Sequence, residues 1–245
     1  MRSDSDLIFP YGSFVKRRSL NHTAQTKKDI EDFISSKTKV AAWMASRCTS
    51  KSQREIYIKR LLSLGFPVDT YGPCGKQNTT ALRFAPHGIQ DGHQELARQY
   101  KFYFALENSM CRDYITEKAW FPLNYGTVPV VLNRRIGQSM LPPGSFIALD
   151  DFSSVDSFMT FILNLDANST AYQEYYDWRY RYRSFGYYRG SRIGWCAFCE
   201  KLLLENSSPK SYFDIAKWWY DGSNCDERSN MNLLLTKNST PKTAK

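Results

Sequence analysis

No apolar run in the 245 residues approaches the ~18 needed to span a bilayer, so no transmembrane helix is expected. The first residues, MRSDSDLIFPYG, lack the apolar core of a signal peptide. Targeting information is therefore expected to be absent from the chain or removed from it. No G-x-G-x-x-G follows a strand candidate and there is no Walker loop, which argues against a dinucleotide cofactor and against an ATPase. HExxH and GxSxG are missing too. Histidine is scarce: the three (22, 87, 93) lie far in sequence from Cys196-x-x-Cys199, and no second C-x-x-C exists, so a zinc site is not expected. Apart from the last residues, no low-complexity tract or internal repeat interrupts the chain.

What is present is a chain 42% hydrophobic and 15% aromatic, enough for one large domain or one domain with extensions. Its net charge of +9 favours anionic partners, although part of that charge sits in a solvated tail, TKNSTPKTAK. The rest reads as an ordinary basic surface until a site gathers it. Six cysteines allow 15 pairings. Sequons at Asn21, Asn78, Asn168, Asn206 and Asn238 are the candidate N-glycosylation sites, and with an even cysteine count they point to a lumenal or secreted compartment.

The chain alternates strand and helix patterns. KVAAWMAS (39–46) reads as a buried strand, SQREIYIKRLLSLG (52–65) as a helix, and FPVDTYG (66–72) as a strand. Ser52 and Glu55 have capping-box spacing, and Gly65 suits a left-handed C-cap. The grammar repeats in YKFYFAL (100–106), DYITEKAWFPLNYG (113–126) and TVPVVL (127–132), with Asp113 as candidate N-cap and Gly126 as stop. Pro122 predicts a kink or an early end. Strand–helix–strand units of this length predict an α/β fold with a Rossmann-like parallel sheet and flanking helices. A short helix is expected at 27–36, and further helices at 154–165, 169–183 and around 197–205.

Ligands of such sheets bind beyond the carboxyl ends of the strands. Two loops fall there, 47–51 and 107–112, and each leads into a helix N-terminus that favours anions. Arg54 follows the first. On a helix from Asp113, Tyr114, Glu117 and Lys118 would share one face. Arg54 and Lys118 could together cradle a diphosphate. Spacing alone favours, modestly, two solvated surface charges, with Glu117 a neighbour on the same helix. Asp4-Ser5-Asp6 precedes the first strand and reads as capping or solvated rather than as a metal site. The run YYDWRYRYRSFGYYRG (175–190) interleaves Arg with rings like a nucleic-acid strip. Helical periodicity instead buries one face of those rings and leaves a basic outer face.

KFYFALENSMCRDYITEKAW…GTVPVVL closely resembles the signature of the α1,3/α1,4-fucosyltransferases. DSDLIFPYG, VAAWMASRCTSKSQREIYIKRL, VDTYGPCG and LPPGSFIALDDF resemble further segments of that family, so the likeness runs from about Arg2 to about Cys225. The resemblance implies the C-terminal half of a GT-B glycosyltransferase. Residues 1–38 would lead in from the other domain, 39–225 would form the GDP-fucose-binding domain, and 226–245 would be a polar basic tail. It further implies that Arg54 and Lys118 hold the diphosphate, that Asn108, Tyr114 and Glu117 contact nucleotide and fucose, and that Ser46 and Tyr71 shape the nucleotide pocket. The implied reaction is inverting transfer of L-fucose from GDP-fucose to a GlcNAc-containing glycoprotein or glycolipid glycan, in α1,3 or α1,4 linkage. No resident cofactor and no essential divalent metal are expected.

The same resemblance places the general base in an N-terminal acceptor domain, so no residue here is assigned that role. It leaves Cys196 and Cys199 without their usual upstream partners. Cys74 with Cys111 is then the expected internal pair, both lying beside strand ends at one edge. Arg47 stands where the family has Asn, and Phe121-Pro122 where it has Asn-Ala. The expected location is the Golgi lumen, with membrane attachment only through an anchor not in this chain, and no nucleic-acid partner. The alternative is a non-catalytic basic module, derived from such a domain, that binds acidic glycan or nucleotide.

Overall fold

The computed structural model describes residues 2–19, 24–76, 89–204 and 211–225. In chain order the elements are β1 (Ser13–Lys16), α1 (Ala24–Ser35), β2 (Lys39–Met44), α2 (Arg54–Ser63), β3 (Val68–Tyr71) and α3 (Ile89–Gln99). Then come β4 (Tyr100–Phe104), α4 (Glu117–Tyr125), β5 (Val128–Val131), α5 (Arg134–Met140), β6 (Ile147–Ala148) and a 3-10 turn (Leu149–Asp151). The chain finishes with α6 (Val155–Ala167), α7 (Ser169–Glu174), α8 (Trp178–Arg181), β7 (Tyr182–Phe185), α9 (Tyr187–Leu204) and α10 (Ile215–Gly222). No helix among the described residues is long and apolar enough to cross a membrane.

Five strands form one parallel sheet in the order β3-β2-β4-β5-β6. After β2 the chain adds β3 on one side, then returns to add β4 on the other. That reversal puts the topological switch point between β2 and β4, and open α/β sheets bind their ligands beyond the carboxyl ends of the strands at such a point. Strand residues alternate between two cores. Trp43, Phe102, Phe104, Val128 and Val130 pack with Tyr57, Leu61, Phe158 and Ile162 on one face. Ala42, Tyr103 and Val131 pack with Leu96, Trp120 and Leu123 on the other. Burial on both faces explains why these strands read as near-continuous apolar runs.

Several expected local features differ. The helix after β2 begins at Arg54, and no capping box forms. Gln53 sits at φ 56, while Glu55 turns back to accept from the Ser50 amide and hydroxyl at 3.2 and 2.7 Å. Ser52 is used elsewhere, as described below. Asp113 is not an N-cap: it lies at φ 61 and accepts from the Ser3 amide and hydroxyl at 2.9 and 2.8 Å. Thr116 caps α4 instead. Pro122 does not end the helix, which runs on to Tyr125 and costs only the amide that would have reached the Lys118 carbonyl. The helix expected over 169–183 is α7, a turn, α8 and then β7, which pairs antiparallel with β1. Tyr172, Tyr176, Trp178 and Tyr180 in this run are buried, as core packing requires. Arg179 stacks on Trp178, 4.6 Å from the ring centroid.

Basic side chains close two helix ends, where the last carbonyls lack intrahelical partners. Lys37 donates to the carbonyls of Ala97, in the last turn of α3, and Tyr100. Arg179 donates to the Leu123 carbonyl in the last turn of α4. Burial, with nearby Arg179, lowers the Lys37 pKa from its usual 10.5 to about 7. Between those values the unfolded chain holds a proton that the folded chain has lost, so this group's contribution to stability rises with pH across that window. Urea midpoints from pH 7 to 10 are expected to show this slope, and Lys37→Met to flatten it.

At Gly126, φ is +84 and an added Cβ would lie 2.4 Å from the Phe33 ring. Gly126→Ala is expected to lower stability by about 2–4 kcal/mol, from left-handed strain plus overpacking. A urea midpoint unchanged from wild type would contradict that packing.

Candidate functional site

The loops after β2 and β4 meet at the switch point and are stitched together. Ser52 donates its amide to the Asn108 carbonyl at 2.9 Å and its hydroxyl to the Glu107 carbonyl at 2.6 Å. Arg54 adds bonds to the carbonyls of Leu106 and Arg47. The small polar residues in these apparently packed turns are thus what holds one loop against the other.

The centre of the site is the start of α4. Glu107 is buried three residues past the end of β4. Its Oε1 accepts from the Thr116 amide at 2.7 Å and the Thr116 hydroxyl at 2.6 Å. Its Oε2 lies 3.0 Å from Lys118 Nζ. That ammonium also reaches Glu117 Oε1 at 3.1 Å and donates to Thr116 Oγ1 at 2.8 Å. One lysine is therefore shared by two carboxylates.

The electrostatics follow. Burial pushes the Glu107 carboxyl above the usual range, although Lys118 and Thr116 oppose it. Burial also acts on Glu117, but Lys118 outweighs it and the Glu117 pKa is lowered. For Lys118, burial is outweighed by the two glutamates, and its pKa rises. Tyr114 is raised by burial and by Glu107.

The expected site residues divide. Lys118, Glu117 and Tyr114 do come together, but not on one helical face, because Tyr114 precedes the helix. Asn108 is half-buried in the turn, and its Oδ1 is enclosed with no hydrogen-bond partner among the described residues. Arg54 is not open to solvent: its guanidinium faces backbone carbonyls, its Nε is buried without a hydrogen-bond partner among the described residues, and burial lowers its pKa. Ser46 is exposed on the loop after β2. Tyr71 is set apart from this cluster. Its hydroxyl bonds that of Tyr100, at the start of β4, at 2.6 Å, and Tyr100 in turn donates to Asp69.

The expected Cys74–Cys111 pair is not formed. Cys48 bonds Cys74, and Cys111 bonds Cys225. The edge was the right one, but β2 lies between β3 and β4, so the loop after β2 is the neighbour of Cys74. Cys111 turns outward to the segment after α10. Cys196 and Cys199 are free and exposed on α9. Of the sequons, Asn168 is exposed and caps α7 through its Oδ1. Asn21, Asn78, Asn206 and Asn238 lie outside the described residues.

Thr116 carries no site role in the sequence reading, and Glu107 enters there only as part of the rim loop, without its ties to Thr116 and Lys118. A carboxylate placed directly after an apolar strand was the available signal for Glu107. Beside Tyr114 a cavity of about 390 Å³ opens, lined by Lys51, Ser109, Arg112, Trp219 and Tyr220 among others. Asp4, which lies near it, is engaged by Arg2 and Arg112, which hold its pKa well below the usual carboxylate range.

A doubly wound parallel α/β domain, with cations and a helix N-terminus gathered at the switch point, defines a class of anionic-ligand-binding domain. Residues 34–218 match the profile of the C-terminal part of glycosyltransferase family 10, the fucosyltransferases, and the chain belongs to that family. It is 34% identical over 239 residues to α-(1,3)-fucosyltransferase fut-6 of Caenorhabditis elegans, covering 93% of this chain and 57% of that protein. It is 33% identical over 223 residues to human α-(1,3)-fucosyltransferase 4, covering 89% and 39%. The chain thus spans about half the length of the curated relatives it matches. A solved α1,3-fucosyltransferase with GDP-fucose aligns with TM-score 0.49 and 22% identity, over 76% of this chain and 52% of that one.

Proposed function

We propose that this chain is the donor-binding half of an inverting fucosyltransferase, holding GDP-fucose for transfer to a GlcNAc-containing glycan in α1,3 or α1,4 linkage. The observation that carries this reading is the position of Lys118: a partly exposed ammonium at the N-terminus of α4, beside the switch point, in a chain of family 10. Lys118 takes a phosphate oxygen directly. Arg54 lies buried beneath the two loops and contributes its charge and their alignment. Asn108 borders the nucleotide and fucose from the turn, and Tyr114 and Glu117 flank the sugar. Ser46, on the open loop, borders the nucleotide. Tyr71 supports the sheet edge through Tyr100.

When the glycosidic bond breaks, negative charge develops on the departing GDP. Preorganised Lys118, Arg54 and the first amides of α4 stabilise that charge as an oxyanion hole does. In this reading a divalent ion is not required, and EDTA is expected to leave GDP affinity unchanged. The general base that takes the acceptor proton is placed outside these residues. Residues 39–225 form the donor domain, with 1–38 leading in and 226–245 as tail. The lead-in is tied to it by Ser3–Asp113 and by β1 pairing with β7. The two disulfides support an oxidising compartment, for which the Golgi lumen is the proposed case.

Thermal unfolding tests the nucleotide class. Saturating GDP at ~100 times its Kd is expected to add about 2.7 kcal/mol of apparent stability, whereas the same concentration of UDP adds little. Equal shifts with both nucleotides would refute guanosine selectivity.

A further inference from the structure

The start of α4 contains one more carboxylate than its lysine neutralises. Glu107 and Glu117 both lean on Lys118. Their situations differ. The Glu117 side chain is 30% exposed, so water can replace the ammonium. That of Glu107 is 4% exposed. Its Oε1 is already committed to the amide and hydroxyl of Thr116, and Lys118 is the one ammonium or guanidinium in ion-pair contact with its Oε2 among the described residues.

The other charged and titratable groups around Glu107 offer no substitute. From α2, Arg54 acts on it through charge alone, because its guanidinium is turned to the Leu106 and Arg47 carbonyls. From β4, the buried Tyr103 feels the Glu107 charge. From the turn before α4, Tyr114 does the same, and on α4 itself the neighbours are Glu117 and Lys118. A diphosphate brought to Lys118 competes for the ammonium and adds negative charge a few ångströms away. A buried carboxylate that loses its partner is strongly disfavoured, and the ordinary escape is neutralisation.

We propose that Glu107 takes up a proton when the diphosphate of a sugar nucleotide engages Lys118. This rests on the donor-binding reading above. The proton comes from solvent and forms an O–H bond on Oε2. Lys118 keeps its own protons and exchanges a carboxylate partner for a phosphate oxygen. Glu107 thereby positions Lys118 in the empty site and releases it to the ligand without leaving a bare charge in the core. Burial already acts in the same direction, pushing the donor-free Glu107 carboxyl above the usual range. By linkage, donor affinity then falls as pH rises above the donor-free value, by up to ~10-fold per pH unit within the titration window.

Isothermal titration of the intact chain with GDP-fucose, in buffers of different ionisation enthalpy at one pH, measures the protons exchanged. The diphosphate of this probe is esterified at both ends and does not itself titrate near neutrality. The wild type is expected to take up close to one proton per ligand, ~1 at most by linkage. Glu107→Gln retains an oxygen for the Thr116 donors and is expected to abolish the uptake. Binding by wild type with no uptake, or undiminished uptake in Glu107→Gln, overturns the proposal and leaves the donor reading intact. The wild-type titration alone decides the matter if the variant does not fold. No binding of GDP-fucose to folded wild type overturns both.

Discussion

Lys118→Met is expected to weaken GDP binding ~30-fold or more, about 2 kcal/mol, the loss of one charge-assisted phosphate contact. A second effect separates this lysine from an ordinary surface charge. Its removal leaves the buried Glu107 carboxylate with only the Thr116 donors. Breaking a buried ion pair from one side costs about 3–5 kcal/mol when the remaining group stays charged. Glu107 escapes that cost by protonating. Its folded pKa is then raised further, the folded chain binds more protons than the unfolded one, and stability falls as pH rises between the two values. Urea midpoints of wild type and variant are therefore expected to differ more at pH 8 than at pH 5. A variant with unchanged GDP affinity and a pH-independent stability loss would make Lys118 a solvated bystander.

Serine at both Cys111 and Cys225 is expected to produce the largest stability loss among the substitutions considered. The bridge joins residues 114 apart in sequence, and chain-entropy scaling for loops of this size gives about 4.7 kcal/mol. The Cys48–Cys74 bridge spans 26 residues, and the same scaling gives only about 3.5 kcal/mol. The longer bridge also fastens the donor turn to the segment after α10, whose Ser223 carbonyl accepts from the Arg112 amide at 2.8 Å. Loss of this bridge is therefore expected to lower GDP affinity as well, by loosening Asn108 and Tyr114. Denaturant melts and GDP titrations of the two double-serine variants check both points. Greater loss at Cys48–Cys74 would reverse the expected ranking.

The parts legible in the sequence were those governed by local pattern. Continuous apolar runs marked β2, β4 and β5, and Gly65 and Gly126 do adopt the positive φ that their end-of-helix positions require. That the loops after β2 and β4 share one edge was legible as well, because strand–helix alternation fixes which loops lie there. What failed depended on choices between equivalent local partners. Ser52 and Glu55 have capping-box spacing, yet Ser52 gains more by tying the two loops together and Glu55 by holding Ser50. Asp113 could cap a helix, but the turn it occupies is pinned by Ser3, so Thr116 takes that role. Disulfide pairing required the strand order, which no local pattern carries. The bond between the Tyr71 and Tyr100 hydroxyls likewise joins residues that no local pattern pairs.

The fold and the family leave exposed apolar surface on the C-terminal helices. Trp195, Leu202, Leu203, Leu204, Phe213 and Trp219 are all open to solvent.

A crystal structure of the chain with GDP would test the central claim most directly. The expected result is a diphosphate oxygen ~2.7–2.9 Å from Lys118 Nζ at the N-terminus of α4, with the nucleotide in the crevice between β2 and β4. Nucleotide bound elsewhere, or a Lys118 still shared by Glu107 and Glu117 beneath a bound GDP, would contradict it.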